Sequence, residues 1–342
     1  MLRIGITGIG FMGMIHYLAY QNVPGVKVTA FCEKFNAARL NGDWTTIKGN
    51  FGPQGTMVDM SPYACYTELD DMIADPNVDM IDVCLPPNQH AEATIKALKG
   101  GKHVFCEKPI SLDPTEGTAM AQTAAETGMS LNIGHVLPFF PAYDYLVEAK
   151  KSGRWGKLLG GSFSRVTADP KWLPHYYDMK ICGGPMFDLH IHDAHFIRYF
   201  FGMPKAVQGV GRCRDGNVPE YFQSQFLYDD PALVVTATSG AIMQQGRPFT
   251  FGFEVHFEKA TVLCDLFMEM PLTVLHEDGS VEKPTLPAGS DTLPFEQELT
   301  EATRCVQTGQ KSEKLDGSLA SDALILCHKE IEAIVTRKQV EI

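Results

Sequence analysis

The chain has no excess of positive charge: 29 lysines and arginines stand against 41 aspartates and glutamates, for a formal net charge of −12. Nucleic acids and anionic membrane surfaces are bound through basic patches, so this balance argues against both as partners. It leaves nucleotides open, because backbone amides and helix N-termini hold their phosphates. Long hydrophobic runs are also missing; nothing approaches the ~18 apolar residues that span a bilayer. There is no C-x-x-C pair, internal repeat or low-complexity tract. A β-prone run beginning at Leu2 leaves no secretory leader ahead of it. The nine cysteines are an odd number, and Cys32, Cys84 and Cys106 fall inside or at the ends of apolar strands. That usage reads as the reduced core thiols of a cytoplasmic protein.

What is present is an ordinary globular composition, 44% hydrophobic and 20% charged over 342 residues. This length suits about two domains of ~150 residues each. Residues 2–7 (LRIGIT) are followed by Gly8-Ile9-Gly10-Phe11-Met12-Gly13, a helical pattern over 12–21, and an apolar run over 26–32 that ends in Glu33. Strand, G-x-G-x-x-G, helix, strand and acid in this order form the full context in which the motif binds a dinucleotide. Gly8 permits the tight turn, Gly10 lets a pyrophosphate approach the backbone, and Gly13 lets helix and strand pack closely. Phe11 and Met12 open the helix, whose positive end draws the phosphates. Glu33 can take two ribose hydroxyls in a bidentate grip and repels a 2′-phosphate. NAD is therefore the expected cofactor and NADP the lesser choice, with Lys34 the neighbour that pulls the other way.

Helical patterns at 67–74, 90–99 and 115–127 alternate with strand patterns at 78–85, 102–106 and 129–133. This alternation predicts a Rossmann-type, parallel, doubly wound sheet with its ligand at the carboxyl ends of the strands. Two of those ends carry unusual residues. One is Leu85-Pro86-Pro87-Asn88-Gln89-His90, where the prolines end the strand and Asn88 suits a helix cap. The other is Glu107-Lys108-Pro109, a charged pair in position to meet the nicotinamide end. Leu85, Pro86, Asn88, His90, Glu107 and Lys108 therefore join the glycine loop, Glu33 and Lys34 as cofactor-binding candidates.

From about residue 134 the rhythm changes. A helix over 142–152 leads into β-prone segments at 158–166, 206–212, 221–228, 233–238, 249–258 and 261–265, with helices at 295–307 and 318–337 closing the chain. In the fifth segment Thr250, Gly252, Glu254 and His256 alternate with Phe251, Phe253, Val255 and Phe257. A run of strands after βα units implies a separate α+β domain on an open, largely antiparallel sheet. The expected division is 1–134 for the NAD-binding domain and 135–342 for a substrate-binding and oligomerisation domain. One sheet face packs on helices. The other is expected to be rich in Phe, Val and Tyr and to need a partner, giving a homodimer or homotetramer.

Residues 183–202, GGPMFDLHIHDAHFIRYFFG, read as a helix buried on most sides that nevertheless holds Asp188, His190, His192, Asp193 and His195. Unpaired polar groups cost roughly 1–3 kcal/mol each when buried, so a plain core helix would avoid them. On an unbroken α-helix Asp188, His192 and His195 share one face. A metal could use this cluster as well. Against that, His190 and His192 point roughly 200° apart on a helix, and a hydride acceptor removes the need for one; no metal is expected.

The ITGIGFMG loop, the LPPNQHAE turn, the CEKP strand end and the GGPMFDLHIHDAHFIRYFFG helix, in that order, resemble the Gfo/Idh/MocA oxidoreductases, which include glucose–fructose oxidoreductase and inositol dehydrogenase. The resemblance runs over essentially the whole chain. It implies two domains, NAD(P) in the first, a sugar or polyol in the cleft, and a catalytic set matching Lys108, Asp188 and His192. Three departures leave that set intact and bear on substrate. His190 replaces a frequent glycine, His195 a common aspartate, and Pro138 an arginine.

Within this resemblance His192 is the expected base, since histidine titrates near the working pH. Asp188 orients its ring, and Lys108 donates to the substrate oxygen. Substrate candidates are His135, Arg165, Asp169, Trp172, Tyr176, Tyr177 and His195. A redox-neutral hydrolase or isomerase could use the same groups. A non-catalytic NAD sensor would have no use for all three together.

Overall fold

The computed structural model describes residues 1–49, 51–265, 270–287, 289–290 and 292–342. The chain divides into two units, Met1–Phe139 with Gly289–Ser321, and Phe140–Ala288 with Asp322–Ile342. The expected division at 134/135 differs in two respects. The break falls five residues later, and a late segment returns to the first unit.

The first unit runs β1 (Leu2–Thr7), α1 (Phe11–Tyr20), β2 (Val26–Cys32), α2 (Ala37–Leu40), β3 (Ala64–Tyr66), α3 (Leu69–Ala74), β4 (Met80–Val83), α4 (His90–Lys99), β5 (His103–Glu107), α5 (Pro114–Thr127) and β6 (Leu131–Gly134). The sheet order is β3-β2-β1-β4-β5-β6, and every pairing is parallel. Strands covered on both faces are largely apolar, and β4 is buried at all four positions, with Asp82 its one charged residue. The chain leaves β1 toward β2 on one side and returns as β4 on the other. The switch point between β1 and β4 is where open α/β sheets take their ligands. Local signals set the element ends. Asp113 caps α5 by accepting the Thr115 amide at 2.8 Å, Pro114 follows it, and Gly128 at φ 71° closes the helix.

The second unit contains α6 (Pro141–Ser152), β7 (Leu158–Ala168), a π-helical turn (Met186–His190), α7 (Ile191–Phe201), β8 (Ala206–Arg214), β9 (Val218–Leu227), β10 (Val234–Ile242), β11 (Thr250–Phe257), β12 (Ala260–Asp265), β13 (Met270–His276) and β14 (Val281–Glu282). Helix α8 (Leu293–Thr308) belongs to the first unit. Helix α9 (Gly317–Thr336) lies in the second from Asp322 onward, as does β15 (Val340–Glu341). The nine strands are ordered β14-β13-β12-β11-β7-β10-β9-β8-β15. The β10–β7 pair is parallel and the other pairs are antiparallel. No helix among the described residues is long and apolar enough to cross a membrane.

Two expectations need correction here. The sheet alternates as read, but the aromatic set faces the helices. Phe163, Phe222, Phe226 and Phe253 are buried, while Ser162, Ser164, Gln223 and Gln225 are exposed on the open face with Leu159, Tyr221 and Val234. Strand side chains alternate with period two, so the Phe positions and the Ser and Gln positions cannot share a face. The helix predicted over 186–201 is also not a single α-helix. Its first five residues form the π-turn, which shifts the phase of Asp188 relative to His192 and His195.

Helix α7 seats Phe196 against Tyr143 (ring centroids 4.9 Å), Phe163 (5.9 Å) and Phe200 (5.4 Å), with no exposed surface. Truncating Phe196 to alanine should cost ~3–5 kcal/mol of stability. A urea titration checks this as a lower midpoint at unchanged slope.

Candidate active site

At the switch point the glycine loop is shaped by close approaches. A Cβ on Gly8 (φ 88°) would meet the Cys84 carbonyl at 2.5 Å, and one on Gly13 would meet the Gly8 carbonyl at 2.2 Å. Gly10 has nothing within 4 Å of its missing Cβ. Helix α1 begins at Gly10 with no side-chain cap and no acidic residue in its first turn. Its first amides thus have no side-chain cap, as a phosphate site requires.

Glu33 closes the other side. Its Oε2 accepts the Ile9 amide at 3.0 Å, and its Oε1 accepts those of Phe35 (2.9 Å) and Asn36 (3.2 Å). Three of about four lone-pair sites are committed to backbone, so the expected two-hydroxyl grip is not what the geometry leaves. The negative charge stays at the loop and still opposes a 2′-phosphate. Lys34 is turned to Glu68 at 2.8 Å on the surface. Arg39, which sequence reading missed, donates from Nη1 to the Ile9 carbonyl at 2.7 Å and fixes the loop from outside.

The two strand ends differ from expectation. His90 is fully buried, with its ring between the Leu85 carbonyl (2.8 Å) and the Pro109 carbonyl (2.7 Å). Burial lowers its pKa, so it staples the ends of β4 and β5 rather than facing a ligand. Asn88 is exposed in a 3₁₀ turn, and the N-cap of α4 is Gln89 without a side-chain bond. Leu85 stays half-buried and Pro86 exposed beside the loop.

Glu107 is buried. Its Oε2 accepts the Lys108 amide at 3.1 Å, and its Oε1 lies 3.1 Å from Nε2 of His16. Lys108 follows it half-buried, joined to Pro109 by a cis peptide. His16, one turn into α1, also bonds Asp82 on β4 at 2.9 Å through Nδ1, with Cys84 Sγ 3.3 Å away. The ligand atoms of His16, Asp82 and Cys84 lie within 4.8 Å of one another. Burial opposes the His16 charge, but Asp82 and Cys84 outweigh it and raise the pKa well above its ordinary value. Glu298 on α8 is fully buried, and neither carboxyl oxygen has a hydrogen-bond partner among the described residues. Burial, and then the Glu107 charge, push it well above the usual carboxyl range.

In the second unit Asp188 and His192 are half-buried, whereas His190, Asp193 and His195 are fully buried. His195 thus presents no surface to a substrate. His190 has both ring nitrogens engaged, by Ser239 and Glu330 at 2.8 Å each, which removes it from any metal-ligand set. Arg165 is buried too. Its guanidinium forks onto Asp193 at 2.8 and 3.1 Å and lies over the Phe251 ring at 4.8 Å, so it is a core ion pair and not a substrate contact. His135, in the first unit, is 1% exposed and equally out of reach.

The remaining candidates lie on the segment after β7. Tyr176 is buried; burial, then the Asp188 charge, raises its hydroxyl pKa well above the usual range. Tyr177 donates to Asp169 at 3.0 Å, and the Arg214 guanidinium covers its ring at 3.7 Å. Trp172 is 68% exposed.

Residues 2–135 match the family "Oxidoreductase family, NAD-binding Rossmann fold", and residues 143–263 match the C-terminal domain of the same GFO/IDH/MocA family. The chain belongs to this family of oxidoreductases, and its first unit is an NAD-binding domain. It is 28% identical to the myo-inositol 2-dehydrogenase of Thermotoga maritima over 81% of this chain and 79% of that one. It is 27% identical to the 2,7-anhydro-N-acetylneuraminate hydratase of Escherichia coli, over 62% of this chain and 53% of that protein. Among solved structures, a levoglucosan dehydrogenase in complex with NADH and levoglucosan superposes with a TM-score of 0.84 at 18% identity, over 100% of this chain and 99% of that one.

The buried set in the first unit makes a signed prediction. Both His16 and Glu298 have raised pKa values, so the native state keeps protons that the unfolded chain has released. Their contribution is full below the unfolded values of about 4.3 and 6.5 and fades as pH rises through the folded ones. Glu298→Gln should therefore raise the melting temperature at pH 8 and change it little at pH 4. Scanning calorimetry at the two values checks the sign.

Proposed function

We propose that the protein oxidises a secondary hydroxyl of a sugar, polyol or inositol-like substrate with NAD as hydride acceptor. One observation carries the reading: of the five ionisable groups Asp188, His190, His192, Asp193 and His195, only Asp188 and His192 keep solvent access. They straddle the junction of the π-turn and α7, where π-turns are often functional.

The glycine cradle fits a pyrophosphate and the Glu33 charge fits an unphosphorylated ribose. Gly8, Gly10, Phe11, Met12 and Gly13, with Glu33, Arg39, Leu85 and Pro86, would hold the dinucleotide. When bound, it supplies the hydride-accepting carbon. His192 takes the hydroxyl proton as the carbon loses hydride, and Asp188 orients the imidazole and stabilises it once charged. Lys108 donates to the substrate oxygen as negative charge develops. The Glu107 carboxylate, pinned by His16, fixes the Lys108 backbone. Tyr177, Asp169 and Trp172 are left as the candidates for binding the other hydroxyls.

The similarity to a hydratase supports one alternative. The same base and cofactor could oxidise a sugar transiently and return the hydride. Net NADH formation separates dehydrogenase from this redox-neutral route, in which tightly held NAD returns unchanged. The reading extends to a cytoplasmic protein, supported by nine cysteines of which five are buried in the core. It also includes a homodimer or homotetramer through the open sheet face, which light scattering tests.

The decisive experiment screens inositols, sugars and sugar acids for NAD reduction at 340 nm. On the best substrate, Lys108→Ala and His192→Ala should each lower turnover by ~100-fold or more. NADH fluorescence titration should show binding retained. Near-normal turnover in both variants would overturn the assignment.

A further inference from the structure

Beneath the proposed catalytic turn lies a buried set that the chemistry does not use. His190 ends the π-turn, two residues after Asp188 and two before His192, and is fully buried. Its Nδ1 meets the Ser239 hydroxyl of β10 and its Nε2 meets Oε2 of Glu330 on α9, both at 2.8 Å. The Phe222 ring of β9 packs edge-on against it at 5.1 Å. Glu330 has no exposed surface, and its second oxygen, Oε1, has no hydrogen-bond partner among the described residues. A buried carboxylate in that state depends on the single imidazole it touches. A π-turn is itself a rare element, found mostly as a single turn inside a helix and frequently at functional sites.

We propose that His190, Glu330 and Ser239 form a positioning device: they clamp the π-turn to α9 and β10 and so set the directions in which Asp188 and His192 leave the backbone. The proposal rests on the catalytic reading of those two residues. His190 itself moves no proton in the reaction. Its charge is framed from every side: Glu330 from α9, Asp193 from α7 and Arg165 from β7, with Ser239 and Phe222 as the uncharged neighbours. Burial opposes an imidazolium here, but Glu330 outweighs it and raises the pKa, extending the charged pair toward higher pH.

Glu330→Gln keeps the shape of the side chain and removes its charge, so it is the variant expected to fold. At fixed pH, amide exchange over 186–193 should quicken roughly 10-fold, while β7 and β9 stay within about two-fold of the parent protein. With the best polyol from the screen, kcat should fall roughly 10-fold and KM for NAD should hold. His190→Gln, whose amide can still donate to Glu330, should recover most of the turnover lost in His190→Ala. Unchanged exchange over 186–193, or exchange that quickens equally in every element, overturns the proposal without need of a substrate. Turnover retained in Asp188→Asn and His192→Ala would instead overturn the catalytic reading, whatever Glu330→Gln does. If those two are inactive while Glu330→Gln and His190→Ala turn over normally, only the positioning proposal fails.

Discussion

Charge buried against opposite charge is the constraint on which both units depend. In the first unit His16 sits between Asp82 and Glu107, and in the second Arg165 forks onto Asp193 while His190 is held by Glu330. Moving an ion out of water costs several kcal/mol, and only tight pairing repays it. Such sets add little net stability compared with well-packed apolar residues. They contribute geometry, because breaking any one pair leaves a bare charge in the core. Here they join segments far apart in sequence: α1 to β4 and β5, β7 to α7, and the π-turn to β10 and α9. The residues proposed above to carry chemistry lie within two positions of these pairs. Lys108 follows Glu107; Asp188 and His192 flank His190.

The cofactor cradle uses the opposite device, an absence of side chains. Gly8 and Gly13 are required because carbonyls occupy the space their Cβ atoms would need, whereas Gly10 is required because that space stays open. Glu33 and Arg39 then hold the Ile9 amide and carbonyl from two sides. The loop is fixed by its neighbours before any phosphate contributes, so the ordering entropy that binding would otherwise bear is largely met in folding.

Much of this was legible in the sequence. The glycine loop, the βα alternation and the strand run at 158–265 are local patterns, and each appears within a few residues of its expected position. The short strands β3, β14 and β15 were missed because two or three residues carry no periodicity, and the seven-residue β13 was missed as well. The return of 289–321 to the first unit was missed because an amphipathic helix such as α8 does not name its partner. Site residues divide by a similar rule. Those set by backbone context, such as Gly8, Glu33 and Lys108, can be picked out as candidates from local pattern. His16, Asp82 and Glu330 were not picked out, because each acts through a contact made by tertiary folding, nor was Glu298, whose burial is itself a tertiary effect. Arg165, His90 and His195 were chosen for their chemistry and proved to be core groups, since residue type alone does not reveal which way a side chain is satisfied.

That sorting also bears on which of the three histidines in one short segment suits the proposed role of base. A general base must exchange protons with substrate or solvent and must return to its neutral form each cycle. His190 meets neither condition, since both nitrogens are bonded and Glu330 favours its charged form. His195 has no surface through which a proton could pass. His192 alone among the three combines access with an acidic neighbour one turn earlier, and the π-turn between them decides how that neighbour is presented. On the reading proposed above, changes of substrate preference would come from the segment bearing Asp169, Trp172 and Tyr177, because mutations there leave the buried pairs Arg165–Asp193 and His190–Glu330 intact.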